Sequence, residues 1–358
     1  MSASISATGY ALSDLLLANS QQVSHRIATL TEQSSTGLIA QDYAGLGQGA
    51  ATALDLQPQI ARDQAIQTGI TAAAGPMGVA QKALSQIGTL TTGIIAQLNN
   101  LNGLDASSVG SVAADAQSAL TQVAGLLDEQ YGGNYVFAGQ DSANPPVPNP
   151  GGILASGFYT QISGAVGALP TAGAATTAAA TLAIAGSTSA GTTPFSATLE
   201  SPAATGDGRT TVETGPGQRV AGVMLANRNG DAASSGTSTT GSYMRDILRG
   251  LATVASLTPA SLSAGGFQAL IQDTRTSLNG AVSAMSTDAG ILGDRQTQLG
   301  KTATAIGDAA TALGNQVADV TQANLAQTAT ALSLANTQLQ ASYQLIAGLP
   351  KLSLVQYV

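Results

Sequence analysis

Acid–base or nucleophilic catalysis needs a base within reach of a reacting group, and this chain offers a single histidine. His25 stands beside Arg26 on a stretch whose apolar residues recur at helical spacing, which reads as a solvated helix face. Without it no Ser–His–carboxylate arrangement can be drawn. No HExxH and no His/Cys cluster is written that could hold a metal. The pieces "GLGQGAA" and "GPGQRV" are rich in glycine but lack the Lys-Ser/Thr of a phosphate-binding loop. Asp128 and Glu129 are neighbours in sequence and diverge on a helix, and Asp288 and Asp294 are expected on exposed helical faces. Cysteine is absent, which removes disulfides and thiolate chemistry together. These residue types support no enzyme, no cofactor and no metal, so function has to be sought in packing.

Composition says what kind of packing. Of 358 residues, 44% are hydrophobic, but much of that is alanine, and aromatics are 3%, with 8 Tyr, 4 Phe and no Trp. A wide core wants large rings and branched aliphatics; alanine-rich stripes suit narrow seams between helices, and an elongated molecule is expected. Charged residues are 9% with a net charge of −8, the opposite of the clustered basic residues that nucleic acid requires, and unsuited to anionic membranes. No apolar run approaches a membrane span. The opening "MSASISATGYALSDLLLANSQQ" has neither a basic start nor a sustained apolar stretch, so a cleavable secretory signal is not expected.

The strongest signal is heptad spacing. From Leu278 the chain offers Val282, Met285, Ala289, Leu292, Gln296, Leu299, Ala303, Ile306, Ala310, Leu313, Val317 and Val320 in steps of four and three, the mark of a long helix with one seam. The rod seam is assigned to Leu278, Met285, Leu292, Leu299, Ile306, Leu313 and Val320. Ile70, Met77, Leu84 and Leu98 with Ala73, Ala80, Ile87, Ile94 and Leu101 repeat the pattern in the N-terminal half. Val112, Ala116, Leu120, Val123 and Leu127 form a third stripe, after a turn at Asn102–Gly103 with Asp105 or Ser107 as the cap. A plain helical bundle would show the same pattern.

At the chain ends, Leu12, Leu16, Val23, Ile27 and Leu30, and Leu325, Leu332, Leu339 and Ile346, recur at matching helical spacing as a second pair of stripes, assigned as an assembly seam. The step from Val320 to Leu325 breaks the preceding register. These segments are either frayed tails or helices that gain partners in an assembly. Gly293, Gly300, Gly307 and Gly314 recur every seven residues in the long helix, as tolerated drift or as a face of close backbone approach. The middle, 141–240, carries "TAGAATTAAATLAIAGSTSAGTT" and short pieces such as "FSATLE" and "TTVE" read as strands. Before it, "YGGNYVFAGQDS" is read as a domain hinge. Gly132 and Gly133 would reverse the chain out of a helix, and Tyr135 and Phe137, on one face of a strand from Asn134, would anchor an outer domain.

The expected fold is mainly α: a long antiparallel helical rod or coiled-coil bundle built from both chain ends, with a β-rich inserted outer domain. Terminal assembly helices occupy 1–40 and 321–358, the helical rod 41–140 and 241–320, and the variable domain 141–240.

Several stretches resemble the flagellin family. "LTEQSSTGLIAQDYAGLGQGAATAL" is similar to the family's Ser-Ser/Thr-Gly-Leu turn and Asp-x-Ala-Gly element, with Ser35, Thr36, Gly37, Leu38, Asp42, Ala44 and Gly45 at the matching positions. "ILGDRQTQL" resembles the opening of the family's C-terminal helix. "NYVFAGQDS" and "LQASYQLIAGLPKLSLVQYV" resemble the hook–filament junction branch of the family. The resemblance covers roughly the first 145 and last 115 residues. It implies export without a cleaved signal, terminal helices lining a tube, and an extracellular, flagellar location. The implied partners are copies of the chain in a ring or tube, hook-associated protein 1 and flagellin as axial neighbours, and an export chaperone. Flagellins seen by the innate immune receptor carry arginines where "ALSQIGTLTTGIIAQL" has Gly93 and Ile95, so that binding is not carried over. Three functions stay open: a junction subunit, a filament flagellin, and a secreted adhesin displaying 141–240. A protease in the middle domain would need the HExxH that is missing.

Overall fold

A computed structural model describes residues 2–101, 106–201, 208–215 and 217–348, with side chains from Asp14 onward in the first helix and from Ser107 in the third. The chain divides into two compact units: Met1–Gln64 together with Gly307–Val358, and Ala65–Ile306. The expected turn at Asn102–Gly103 and the cap Asp105 lie outside the described residues, and Ser107 falls inside the third helix.

In the first unit the N-terminal helix α1 (Ser2–Thr36) pairs with the last helix of the chain, and two very long helices, α2 (Gly49–Asn99) and α8 (Phe267–Thr321), contribute residues to both units. The register break after Val320 is a real interruption: α8 ends at Thr321 and α9 (Leu325–Gly348) begins after it. Asn324 caps α9, its side-chain oxygen accepting from the Gln327 N–H at 3.2 Å, which satisfies one of the free donors of a helix start. On the other side, α1 stops at Gly37, whose positive φ of 71° lets its N–H turn back to the Gln33 carbonyl at 2.9 Å. The two interruptions meet. Leu38 and Gln322 form an antiparallel bridge, with Ile39 N donating to Thr321 O at 2.8 Å and Ala323 N to Gly37 O at 2.9 Å.

In the second unit α2 and α8 run antiparallel, and three glutamines set their register. Gln67 donates to the Ala303 carbonyl, Gln296 to Ala74 and Gln81 to Ala289, at 3.2, 3.3 and 3.5 Å. Each step of seven along α2 is matched by a step of seven back along α8, so all three bonds belong to a single alignment. The heptad residues Ile70, Met77, Leu84 and Leu98 lie beneath, each 1% exposed. The third stripe, Val112 to Leu127, is buried on α3 (Ala106–Leu126) and in the turn that follows it.

Between them the chain is not β-rich. Residues 141–240 contain α4 (Gly157–Gly167), α5 (Leu169–Gly186, broken at Gly173) and the single-turn α6 (Ala197–Glu200). "FSATLE" is therefore largely helical, while "TTVE" does form β3 (Thr211–Gly215), paired antiparallel with β4 (Gln218–Ala221). The Ala/Thr run folds as α5 because alanine is the best helix former, and Thr171 and Thr181 turn their hydroxyls onto the Ala168 and Ala178 carbonyls at 3.0 and 2.9 Å. α4 and α5 pack with α3 around α7 (Tyr243–Ala255), of which every residue is buried. Gly250 of α7 lies so close to α8 that a Cβ there would overlap the Leu278 side chain.

Asp288 is not on an exposed face, as the heptad suggested. It is 2% exposed, and its carboxylate accepts from the backbone N–H groups of Gly230, Asp231 and Ala232 at 2.6, 2.8 and 2.7 Å. A loop with no helical or sheet partner for its N–H groups has to find acceptors elsewhere, and Asp288 supplies them from α8. Asp294, one turn further and a half, is exposed as expected.

Two substitutions test this packing by urea unfolding. Gly250→Ala forces Leu278 out of its position and costs about 1–3 kcal/mol. Asp288→Ala leaves three loop N–H groups without their acceptor and costs about 1–3 kcal/mol, whereas Asp288→Asn, which keeps one acceptor oxygen, costs less.

Candidate functional site

The paired chain ends provide the surface that most needs an explanation. On α9 the residues turned toward α1 are Thr328, Leu332, Ala335, Leu339, Ser342 and Ile346, buried or half-buried in steps of four and three. On α1 they are Leu16, Ser20, Val23, Ile27 and Leu30. The fully buried members are small: Ser20 at 4% exposure, Thr328 at 6% and Ala335 at 2%. Small side chains let the two backbones approach, and the larger branched residues, four on α1 and three on α9, close the seam from either side. Leu325, assigned to this seam from sequence, is instead 53% exposed. Its spacing of seven from Leu332 fits the stripe, but α9 only begins at Leu325, so it lies at the end of the contact. Leu12 lies in α1, in the part whose side chains are not described.

Beside the seam lie large apolar side chains facing solvent. At 100° per residue, Leu325 and Tyr343 stand roughly 60° to one side of the α9 seam, and Leu334 and Leu345 roughly 110° to the other. Leu15 and Leu17 flank the α1 seam in the same two-sided manner. These six are 53–62% exposed. Leu38, Tyr43 and Leu54 extend the exposed apolar set within the same unit; among the described residues, the only exposed large hydrophobic in the other unit is Tyr131. Exposed large apolar side chains are thus concentrated in the unit that holds the chain ends.

The Ser-Thr-Gly-Leu and Asp-x-Ala-Gly motifs build the connection from α1 to α2. Asp42 accepts from the Gly45 N–H at 2.8 Å, Tyr43 donates its hydroxyl to Gln57 at 2.9 Å, and a short 3-10 turn spans Ala44–Leu46. A Cβ on Gly49 would come within 2.9 Å of the Val320 Cβ, so the start of α2 lies directly on the end of α8. Of the rod seam, Leu278, Met285, Leu292 and Leu299 are at most 2% exposed, while Ile306, Leu313 and Val320 are half-buried. A Cβ added at Gly300 or Gly314 of the glycine row would meet nothing within 4 Å, and one at Gly293 would meet only the end of the Gln81 side chain.

The hinge reading is corrected in its parts. Gly132 and Gly133, with φ of 60° and 83°, are the two-residue loop of a hairpin joining β1 (Gln130–Tyr131) to β2 (Asn134–Tyr135). They do not reverse the chain out of α3, which closes earlier by turns over Leu127 to Glu129. β2 is only two residues long, so Tyr135 and Phe137 do not share a strand face; Tyr135 is half-buried and Phe137 fully buried, its carbonyl accepting from Ala226 N at 3.0 Å. The ring that lies on a long helix is Tyr131, over Gly75 of α2, where a Cβ would overlap it. Asp128 fastens the proline-rich loop by accepting from Val147 N at 2.9 Å. Burial pushes its carboxyl up to about 6, against the lowering effect of that hydrogen bond.

Sequence reasoning passed over α7, which carries three charges in five residues of a chain with 9% charge. Arg245 is held by Glu200 at 2.6 Å, lies over the Phe195 ring, and donates to the carbonyls of Ala185 at 2.9 Å and Ser187 at 3.2 Å. Asp246, fully buried, accepts from the hydroxyls of Ser234, Thr239 and Thr240 and from Thr240 N. Arg249 donates to Ser277 at 2.7 Å and Ser238 O at 2.8 Å, and burial lowers its pKa despite Asp273 and Asp246 nearby. Tyr243 is held protonated by burial and by the neighbouring Asp288 charge. The "SSGTSTTGS" loop is thus wrapped around a carboxylate. Hydrogen bonds, the Arg245–Glu200 ion pair and the Phe195 ring together hold α7 to its surroundings. Among the described residues no group of three or more His, Asp or Glu side chains could hold a metal.

Residues 276–358 match the family model of the bacterial flagellin C-terminal helical region. The match takes in most of α8 and all of α9, supports the flagellin family for this chain, and with it a structural subunit of the bacterial flagellum. No curated protein matches the chain.

Asp128 gives a pH signature. Its folded pKa of about 6 lies above the ordinary 3.8, so the native state binds its proton more tightly and loses stability as pH rises from about 4 through 6. Asp128→Asn keeps the acceptor for Val147 N without the charge. Its melting temperature is expected to exceed that of the parent at pH 7, with the difference vanishing near pH 4.

Proposed function

We propose that this chain polymerises through α1 and α9 as hook-associated protein 3, the subunit that joins the flagellar hook to its filament. The observation that carries self-assembly is the two-sided apolar flank of the terminal helices. A helix pair that existed for its own stability would bury one face; Leu15 and Leu17 on α1, and Leu325/Tyr343 opposite Leu334/Leu345 on α9, present apolar groups on both sides of the seam. A subunit in a ring or tube needs that arrangement, because each pair has a neighbour on either hand. The flagellin-type C-terminal region supports the flagellar setting. The junction role rests on the resemblance of "NYVFAGQDS" and of the C-terminal "LQASYQLIAGLPKLSLVQYV", whose last ten residues lie outside the described structure.

In this reading the partners are copies of the chain, hook-associated protein 1 and flagellin along the axis, and an export chaperone before assembly. The protein acts outside the cell on the flagellum. No described helix is long and apolar enough to cross a membrane.

Immunogold labelling of intact appendages separates the junction subunit from a filament flagellin: a single band beside the hook is expected, and label along the whole filament would mean the latter. The assembly surface has its own test. Leu334→Gln with Leu345→Gln alters groups already exposed, so the isolated chain keeps its stability within about 0.5 kcal/mol. Incorporation into appendages is expected to be lost. Normal incorporation of that double variant would remove α9 from the interface.

A further inference from the structure

We propose that the contact between Asp128 and the Val147 amide is a latch on the proline-rich segment 145–148, closed in mild acid and loosened toward neutral pH. Both residues belong to the Ala65–Ile306 unit, and the latch needs no assembly.

The sequence leaves this segment one donor by which to be held. Pro145, Pro146 and Pro148 carry no N–H, so Val147 has the only backbone donor in "PPVP". That donor goes to Asp128 Oδ1 at 2.9 Å, just past the end of α3. On its carbonyl side the segment accepts from Ser196 N, through Pro146 O, at 2.8 Å. Pro146 and Val147 are buried. The stretch that carries the chain from the β1–β2 hairpin toward α4 is thus fastened to the end of α3 through a single titratable group.

As an anion that group is badly placed. Asp128 is half-buried and stands just beyond the carbonyl end of α3, where negative charge is disfavoured. Among the described residues no ion pair includes it. The charges on the segments that meet there bring it no cation. Glu129, next in the chain, is exposed, and Asp141 on the loop accepts from Asn144 Nδ2 at 2.7 Å. Asp115, the one charge of α3, is bound by Gln97 at 2.9 Å, and Glu200, beyond Ser196, is paired with Arg245 at 2.6 Å. The hairpin carries Tyr131 and Tyr135 and no charge. Burial therefore pushes the Asp128 carboxyl up to about 6, against the lowering effect of the Val147 N–H, and no charged side chain adds to either.

A segment that swings away opens Asp128 to water and returns it to the ordinary 3.8. The closed form then holds its proton more tightly than the open form. Closure is fully favoured below about pH 4, is lost as pH rises toward 6, and changes little beyond.

Residue-resolved hydrogen exchange on the full-length chain, corrected for the base-catalysed rise of exchange itself, reads the latch. The opening constant at the Val147 amide is expected to rise about 50-fold between pH 4 and 7. The Ser196 amide should follow it, while the buried amides of α7 exchange more slowly throughout. Asp128→Asn keeps an acceptor for Val147 and removes the titration, so its profile should be flat. Glu129→Gln removes only the exposed neighbour and should keep the rise. A Val147 amide that exchanges no faster than α7 at every pH would mean that the segment opens only when the whole unit unfolds, and would overturn the proposal. So would a rise below about threefold, its persistence in Asp128→Asn, or its loss in Glu129→Gln.

Discussion

The antiparallel return of α8 along α2 is the constraint from which the rest of the Ala65–Ile306 unit follows. Coiled coils commonly fix register with charged pairs beside the seam, and a chain with 9% charged residues has few to spend. Here the glutamines do it by donating to backbone carbonyls of the opposite helix. A slip of one residue would break all three bonds at once and lift Met77, Leu84, Met285 and Leu292 out of the seam. With that alignment held, Asp288 is brought under the 230–232 loop, and Leu278 is brought against the one position on α7 that has no side chain.

The periodic parts of this fold were legible because a heptad states a helix and its buried face together. Leu278 through Leu299 and Ile70 through Leu98 needed only counting. What misled was residue type without period. The run from Thr171 to Thr193 has no long apolar side chain at fixed spacing and was read only as a low-complexity part of the middle domain; alanine propensity made most of it helix, with Thr171 and Thr181 bonding to the preceding turn. The hinge was misread for a related reason: the aromatic pair drew attention, whereas the ring that reaches α2 is Tyr131, just before the glycines that were noticed.

Charge was legible only where its partner was near in sequence. Asp288 was placed on an exposed face because its helix offered no partner; the N–H groups it serves lie 56 to 58 residues earlier. The same distance problem hid α7. Arg245 meets Glu200 and Asp246 meets a Ser/Thr/Gly loop that composition alone would leave unstructured. A usable signal was there: three charges among Tyr, Met, Ile and Leu, in a chain otherwise so poor in charge, argue for burial with partners, because such a helix has no polar face wide enough to be its outside. Of the assembly seam, the spacing gave Leu16 to Leu30 and Leu332 to Ile346, but not the small residues Ser20, Thr328 and Ala335 that let the helices close.

That smallness has an energetic consequence for assembly. Seams built on Ser, Thr and Ala bury little apolar area per turn, so the pair formed by α1 and α9 is thin by comparison with the Leu- and Met-filled seam of α2 and α8. The six flanking side chains are already nearly half covered, and finishing their burial returns about 1 kcal/mol each. That sum, roughly 6 kcal/mol, falls near the low end of the cost of immobilising one subunit against another, which is about 4–15 kcal/mol. Each contact covers one flank on each of two subunits, so a dimer recovers about 6 kcal/mol for one immobilisation and leaves two flanks exposed for further subunits. A ring gains its closing contact with no further subunit immobilised. Two-sided flanks therefore favour a closed or continuous array over an isolated dimer.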